Sequence, residues 1–135
     1  MSDTAPHFLT VGTDADARRI AVRDRPGDSP GLLWLGGFMS DMQGTKAVAL
    51  DDWGARSGRR VTRFDYSGHG ESEGRFEDGT ISRWLDETEA VFDAFCPGPT
   101  ILVGSSMGGW IALLLARRLQ TAGKAERLAG MVLIA

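Results

Sequence analysis

Residues 100–115 read TILVGSSMGGWIALLL, an apolar run, a glycine- and serine-rich segment and a second apolar run. The run from Thr100 to Val103 predicts a buried strand, and the apolar positions that follow predict a helix over 108–119. Between them lies a Gly-x-Ser-x-Gly motif with Ser106 at its centre. A serine at a sharp strand-to-helix turn is exposed above the sheet, and glycines two residues away let strand and helix close together. The stretch therefore predicts a nucleophile elbow with Ser106 as the nucleophile.

A second copy of the motif, from Gly70 to Gly74, lacks this context. Ser72 lies in a polar loop between Glu71 and Glu73, with no predicted strand before it or helix after it. Two adjacent carboxylates disfavour the oxyanion that develops during acyl transfer. We therefore interpret Ser72 as a loop residue. For Ser106 two other interpretations stay open: a small residue in a tight turn, and a phosphate-binding turn at a helix N-terminus.

Outward from this stretch, strands and helices alternate along the chain. Two short strands at the start predict a hairpin, and the alternation that follows predicts a mostly parallel sheet with helices on both faces. The chain is expected to form a single α/β domain over 1–135. The predicted strands are 7–11, 19–22, 32–35, 59–65, 100–103 and 127–135, the predicted helices are 41–57, 81–95 (with Thr80 as N-cap) and 108–119, and the predicted loops include 24–31 and 66–79. Helix 41–57 is expected to bury Ala47, Leu50, Trp53 and Gly54 on one face.

Acyl transfer also needs donors for an oxyanion, usually backbone N–H groups. One candidate is the N–H of Met107, at a helix N-terminus where the dipole adds partial positive charge. The second is expected from the loop after strand 32–35, where Gly36 and Gly37 let the backbone approach a ligand closely. The N–H of Phe38 is the natural candidate there. The alternative is that these glycines only turn the chain.

Three motifs in this order carry a family resemblance: LGGF (35–38), FDYSGHGES (64–72) and VGSSMGGW (103–110). Together they resemble the α/β-hydrolase superfamily. The segment GFMSDMQGTKA (37–47) is similar, more narrowly, to the mitochondrial branch of α/β-hydrolase-domain enzymes and their bacterial relatives, described as acyl-protein thioesterases and acyl-glucuronide esterases. The resemblance runs from about residue 30 to the end of the chain.

This resemblance implies an α/β-hydrolase fold and a serine hydrolase that forms an acyl-enzyme. It implies Ser106 as the nucleophile, with Met107 and Phe38 as the amides of the oxyanion hole. The substrate is then a small-molecule or acyl-protein ester or thioester. By analogy His69 shapes its own loop, although its loop is expected on the same sheet edge as Ser106, so a role as general base stays open.

The acyl pocket is the least determined part of the predicted site. Gly37, Met39 and Trp110 flank the predicted nucleophile and suggest apolar substrate contacts. The alternative is that Trp110 and the helix after it belong to the core.

The catalytic triad is incomplete in this sequence. In the superfamily the acid and the histidine follow later strands, whereas after Ser106 the chain holds no histidine and one acid, Glu126. We expect the fold to stop after about its sixth strand, leaving Met131 to Ala135 as a bare edge for the missing C-terminal half or a partner chain. Without a base the serine hydroxyl stays protonated, so the chain alone is expected to be inactive.

Two other functions stay open. One is a different reaction on the same fold, such as an acyltransferase, a peptidase or a C–C bond hydrolase. The other is a short non-catalytic protein that binds a partner by strand addition at its exposed sheet edge.

Composition excludes several classes of function. A net charge of −3 gives no electrostatic case for nucleic-acid binding. A single cysteine and two histidines offer no metal-ligand spacing, and no Gly-x-Gly-x-x-Gly opens a helix, so no cofactor is expected. The sequence has neither an apolar run of about 18 residues nor a signal-peptide pattern. We therefore expect a cytoplasmic protein with no membrane span.

Overall fold

The computed structural model describes residues 5–135, in which strands and helices alternate from the third strand onward. Residues 1–4, the start of the N-terminal segment that lacks a signal-peptide pattern, lie outside the described residues. Within the described part, the strands are β1 His7–Val11, β2 Arg18–Arg25, β3 Asp28–Leu35, β4 Arg59–Phe64, β5 Thr100–Ser105 and β6 Leu128–Ile134, and the α-helices are α1 Thr45–Ser57, α2 Ile81–Phe95 and α3 Met107–Thr121.

The strands form a single mixed sheet in the order β1-β2-β4-β3-β5-β6. The two pairs at the β1 side, β1–β2 and β2–β4, are antiparallel. The three pairs that join β4, β3, β5 and β6 are parallel. The predicted N-terminal hairpin and the mostly parallel remainder are confirmed. Because β3, β4 and β5 run the same way, the chain leaves all three at one edge of the sheet, where ligands of such sheets bind.

The core lies on both faces of this sheet, as predicted. Alternate side chains of β3 point to opposite faces, so Leu33 and Leu35 join one cluster while Leu32 and Trp34 join the other. The first cluster is covered by α2 and α3, and the second is covered by α1 through Ala47. A strand buried on both faces is expected for a parallel sheet between helix layers.

The predicted loop over 24–31 is wrong for most of its length. Strand β2 continues to Arg25 and β3 begins at Asp28, so only residues 26–27 lie between the strands. One of the polar residues that suggested a loop, Asp24, is paired across the sheet. Asp24 accepts hydrogen bonds from the Thr62 hydroxyl at 2.9 Å and from the Arg60 guanidinium at 2.5 Å.

The predicted first helix is corrected at its start and on its buried face. Helix α1 begins at Thr45, because Asp41 to Gly44 form a turn closed by the Gly44 N–H on the Asp41 carbonyl at 3.1 Å. Trp53 is 41% exposed, against expectation. Asp51 takes a buried position on α1 instead, where its carboxylate is paired with Arg25 at 2.8 Å and with Arg63 at 3.4 Å.

The second helix begins where predicted. The Thr80 hydroxyl accepts the Arg83 N–H at 3.1 Å and caps the helix. Its buried face also holds Glu87, which is fully buried and which the apolar periodicity did not reveal. One Glu87 oxygen accepts from Arg18 at 2.8 Å and the other accepts the Ser67 N–H at 2.7 Å. Glu87 thus joins α2, β2 and the loop after β4.

Glu87→Ala is expected to lower the free energy of unfolding by about 3–5 kcal/mol, because it leaves the 4% exposed Arg18 without its buried partner. The matched control is Glu89→Ala on the same helix, where the half-exposed carboxylate pairs with Arg118 at 3.0 Å. That change is expected to cost less than about 1 kcal/mol. Urea denaturation of both variants measures the difference, and equal losses would contradict the assignment.

Candidate active site

Ser106 occupies the sharp turn between β5 and α3. Its backbone has φ 56° and ψ −117°, a conformation that a non-glycine residue adopts only under strain. The surroundings hold the turn, since the Ser106 N–H donates to the Ile134 carbonyl at 2.8 Å and the Ser106 carbonyl accepts the Gly109 N–H at 2.9 Å. The Ser106 side chain is exposed at the carboxyl edge of the sheet. The predicted strand–turn–helix geometry is therefore present.

The two glycines of the motif are required by backbone contacts. A Cβ on Gly104 would lie 2.5 Å from the Gly108 carbonyl oxygen, and a Cβ on Gly108 would lie 2.0 Å from the Leu35 carbonyl oxygen. Both contacts are with backbone, which cannot rotate away as a side chain can. The predicted reason for the glycines, close approach of strand and helix, is confirmed.

The loop after β3 meets the elbow in one cleft. The cleft has a volume of about 390 Å³. Ser106, Gly37 and Phe38 all line it, and a Cβ on Gly37 would lie 3.6 Å from the Ser106 Cβ. Met107 is the first residue of α3. The structure thus brings the predicted nucleophile and both stretches of predicted oxyanion donors to one place.

Neither of the two predicted apolar substrate contacts lines this cleft. Met39 is 73% exposed and borders a neighbouring depression with His69 and Phe76. Trp110 is 56% exposed on α3, so the alternative of a core position is wrong for its side chain, but it is right for the helix after it, whose Ile111, Ala112, Leu115 and Leu119 are buried in the core.

The cleft also contains polar groups that the sequence did not single out. The Lys46 ammonium lines it and lies 3.5 Å from the Ser105 hydroxyl, and Ser40, Asp41 and Thr45 line it as well. Lys46 belongs to the first turn of α1, and a helix that follows a parallel strand begins at the carboxyl edge of the sheet. That position was the signal that could have identified Lys46 from the sequence.

His69 is 5% exposed, and both of its ring nitrogens are engaged. Nδ1 lies 3.0 Å from the Ser67 carbonyl oxygen, which can only accept, and Nε2 lies 3.1 Å from the Met39 N–H, which can only donate. The partners therefore select the neutral imidazole with its proton on Nδ1. Since neither nitrogen is left to take a proton from Ser106, the structure favours the loop-shaping interpretation.

Ser72, in the second copy of the motif, is a structural residue of its loop. Its hydroxyl accepts the Ala21 N–H at 2.8 Å and donates to the Asp65 carbonyl at 2.7 Å. The neighbouring Glu71 pairs with Arg23, and Glu73 accepts the Arg19 N–H at 2.8 Å. The loop interpretation is confirmed.

Asp65 connects the loops that follow β3 and β4. Its two carboxylate oxygens accept the Met42 N–H at 2.8 Å and the Glu71 N–H at 2.9 Å. Burial raises the pKa of this carboxyl above its ordinary value, although the two backbone hydrogen bonds act in the opposite direction. Gly70 has φ +47°, and a Cβ there would lie 2.2 Å from an Asp65 oxygen, so this turn admits no side chain.

Two properties concern cofactors and membranes. Within residues 5–135, no three His, Cys, Asp or Glu side chains form a group that could hold a metal ion. None of the helices in that range combines the length and apolar character needed to cross a membrane.

Burial raises the pKa of the Cys96 thiol to about 11, so the thiol stays protonated at neutral pH.

Comparison with known proteins identifies relatives over most of the chain. The model of the alpha/beta hydrolase family matches residues 26–135. The human mitochondrial palmitoyl-protein thioesterase ABHD10 is 41% identical over 98 residues, which are 73% of this chain and 32% of that protein. The chain therefore spans about a third of the length of this curated relative.

Solved structures agree with this comparison. A putative hydrolase from Agrobacterium vitis superposes with a TM-score of 0.88 and 53% identity, covering 95% of this chain and 51% of that one. The alpha/beta hydrolase domain-containing protein 10 from mouse superposes with a TM-score of 0.86 and 32% identity, covering 96% of this chain and 49% of that one. The same six-stranded arrangement thus occurs within longer chains.

Proposed function

The chain belongs to the alpha/beta hydrolase family, and from that premise we propose that it carries the nucleophile half of a serine hydrolase for carboxylic esters or acyl thioesters. The Ser106 oxygen attacks the acyl carbonyl carbon, the bond to the leaving oxygen or sulfur breaks, and the leaving group takes up the serine proton. Water then cleaves the acyl-enzyme and restores Ser106. The observation that carries the proposal is the exposed, strained Ser106 in one cleft with Gly37 and Phe38.

The oxyanion is held by two backbone amides in this proposal. The Met107 N–H lies at the N-terminus of α3, where the helix dipole adds to its positive character. The Phe38 N–H comes from the loop after β3, which borders the same cleft. Donors aimed at the position of the developing charge are the largest single contribution in many enzymes of this kind.

The preferred substrate class is an acyl thioester, including an acylated protein. The support is the 41% identity to a human protein named palmitoyl-protein thioesterase. The exposed Met39 side chain adds apolar surface in the depression next to the cleft, which suits an acyl chain, and Trp110 is exposed on α3 four residues after Ser106. A cytoplasmic location stays a prediction.

The acid and the base of the triad come from outside this chain in the proposed mechanism. The route by which they join is the edge strand β6, where Met131, Val132 and Leu133 are 38–49% exposed. Leu113 of α3 is a further exposed apolar residue, at 48%. An exposed hydrophobic edge strand pairs with another strand when one is present. A C-terminal half of the fold is the proposed occupant.

A panel of p-nitrophenyl esters and acyl thioesters tests the proposed function in the full-length protein that carries this chain. We expect hydrolysis with a rapid burst of leaving group, equal to one per active site, because an acyl-enzyme accumulates. Transfer of the acyl group to an added alcohol or amine in preference to water would favour an acyltransferase. Cleavage restricted to peptides would favour a peptidase, and no turnover on any of these would favour the non-catalytic alternative.

The 135-residue chain by itself is expected to show negligible labelling by a fluorophosphonate probe. Neither of its two histidines can serve as the base. His69 has both ring nitrogens hydrogen-bonded, and His7 lies on β1, four strands away from β5, which Ser106 follows. Circular dichroism of the same sample verifies that it is folded. Strong labelling that Ser106→Ala abolishes would contradict this expectation and restore His69 as a candidate base.

A further inference from the structure

The loop that carries Phe38 is held from outside by the loop that follows β4. We call residues 36–42 the oxyanion loop and residues 65–79 the support loop. The Tyr66 hydroxyl donates to the Gly36 carbonyl at 2.9 Å, and the Met39 N–H donates to His69 Nε2 at 3.1 Å. These contacts restrain the peptide groups on either side of the one that carries the Phe38 N–H. That donor therefore lies between two restrained peptides.

The peptide that carries the Phe38 N–H is itself oriented by a turn. The Gly37 carbonyl accepts the Ser40 N–H at 3.2 Å. Because N–H and C=O point in opposite directions across a trans peptide, the Phe38 N–H points away from the inside of this turn. The turn requires φ +61° at Met39, a left-handed conformation that is strained in a non-glycine residue. An external contact is needed to hold it, and the His69 ring supplies one at the amide of that residue.

The His69 ring is a rigid support. Its Nδ1–H donates to the Ser67 carbonyl, which also accepts the Trp84 indole N–H at 3.2 Å. The ring packs edge-on against Trp84 at 5.2 Å and against Phe76 at 5.4 Å between ring centroids. The Phe38 ring also packs against Phe76, with 5.1 Å between ring centroids. Both the side chain and the backbone of the oxyanion loop therefore contact the support loop.

Tyr66 is suited to its part of this arrangement. It is 2% exposed, and burial together with the Glu87 charge raises the pKa of its hydroxyl. The hydroxyl therefore keeps its proton and remains a donor to Gly36. No other role for Tyr66 or His69 is needed by the proposed chemistry, since neither contacts Ser106.

We propose that His69 and Tyr66 are positioning residues, which aim the Phe38 N–H at the oxyanion by fixing the peptides on both sides of it. The proposal rests on the proposed function of the cleft. Positioning of this kind acts on charge that exists only in the transition state, so its loss lowers kcat and leaves KM nearly unchanged.

Two substitutions of His69 in the full-length protein separate positioning from packing. His69→Asn keeps a donor for the Ser67 carbonyl but has no acceptor at the Nε2 position, whereas His69→Gln can place its side-chain oxygen there and accept the Met39 N–H. We expect His69→Asn to lower kcat about 10²-fold with KM within about twofold, and His69→Gln to restore at least about tenfold of that loss. His7→Asn, at an exposed histidine of β1, is the matched control and is expected to be neutral.

Tyr66→Phe tests the other contact without changing the ring. It removes only the hydroxyl and is expected to lower kcat about tenfold, again with KM little changed. Equal losses in His69→Asn and His69→Gln, or losses seen in KM alone, would assign these residues a packing role and overturn the proposal.

Amide hydrogen exchange of the oxyanion loop gives a readout that does not depend on turnover. The Met39 N–H is expected to exchange faster in His69→Asn than in the unsubstituted protein, with protection regained in His69→Gln. Unchanged Met39 protection in His69→Asn would overturn the positioning role even if the protein is an active hydrolase. Faster exchange in a protein without any turnover would support the positioning contact and refute the proposed function instead.

Discussion

Ser106→Ala is expected to lower kcat for ester and thioester hydrolysis in the full-length protein by about 10⁶-fold, the loss seen when a serine hydrolase loses its nucleophile. In the proposed mechanism the Ser106 oxygen forms the bond to the acyl carbon, and the alanine side chain has no group that can do so. What remains is the small contribution of the oxyanion amides and of substrate binding. The measurements are the steady-state rate on the best ester or thioester and labelling by a fluorophosphonate probe.

Two other serines provide matched controls for this substitution. Ser105 is adjacent in the sequence but buried, with its hydroxyl 3.5 Å from the Lys46 ammonium, and Ser72 is the central serine of the second motif. We expect Ser105→Ala to keep kcat within about fivefold, since it does not take part in bond formation. Ser72→Ala leaves the Ala21 N–H unpaired, so it is expected to cost about 1–3 kcal/mol of stability while labelling persists. Full activity of Ser106→Ala would refute the nucleophile assignment.

Gly108→Ala is expected to destabilise the protein by about 3 kcal/mol or more, the upper end of the cost of overpacking. The added methyl group would lie 2.0 Å from the Leu35 carbonyl oxygen and 2.7 Å from that of Gly36. Both neighbours are backbone at the start of the oxyanion loop, so relief requires α3 to move away from β3. We expect labelling of Ser106 to fall with stability, because the same movement separates the elbow from Phe38.

Gly109→Ala is the matched control for the glycine substitution. A Cβ there would lie 3.6 Å from the Gly104 carbonyl oxygen and 3.7 Å from the Leu133 side chain, which is ordinary contact. Alanine is also about 1 kcal/mol more favourable than glycine inside a helix, so stability is expected to be unchanged or higher. Urea denaturation followed by tryptophan fluorescence measures both variants. Similar midpoints for the two variants would show that strand and helix do not approach as closely as described.

Most of the fold could be predicted from the sequence. The errors in the prediction have a common cause. Apolar periodicity placed α2 and its N-cap Thr80 correctly, because capping and burial are local properties of that segment. The same periodicity favoured Trp53 over Asp51 for the buried face of α1, since hydrophobicity says nothing about a distant partner. Asp51 is buried because Arg25 and Arg63 of other strands accompany it. Residues 24–31 were predicted as a loop for the same reason, since their composition does not reveal the partners that they have on other elements.

In the candidate site, too, features that depend on neighbouring residues could be predicted, and contacts between distant residues could not. The choice between Ser106 and Ser72 could be made from sequence context, because the strand and the helix that define an elbow are its immediate neighbours. The contents of the cleft could not be found in that way. Lys46 reaches Ser105 across 59 positions of the chain, and only the sheet order that sets β3 beside β5 brings them together.

The elbow, its glycines and the loop that faces it could be predicted from the sequence, because the Gly-x-Ser-x-Gly motif lies directly between a strand and a helix and the facing loop follows a parallel strand. The contacts of Tyr66, His69 and Asp65 with the oxyanion loop, by contrast, are visible only in the tertiary structure. Each of them contacts the oxyanion loop across 23–30 positions of the chain. A hydrogen bond requires the donor and acceptor heavy atoms to lie within about 3 Å of each other. That proximity exists only after β4 pairs with β3 and both loops leave the sheet at the same edge.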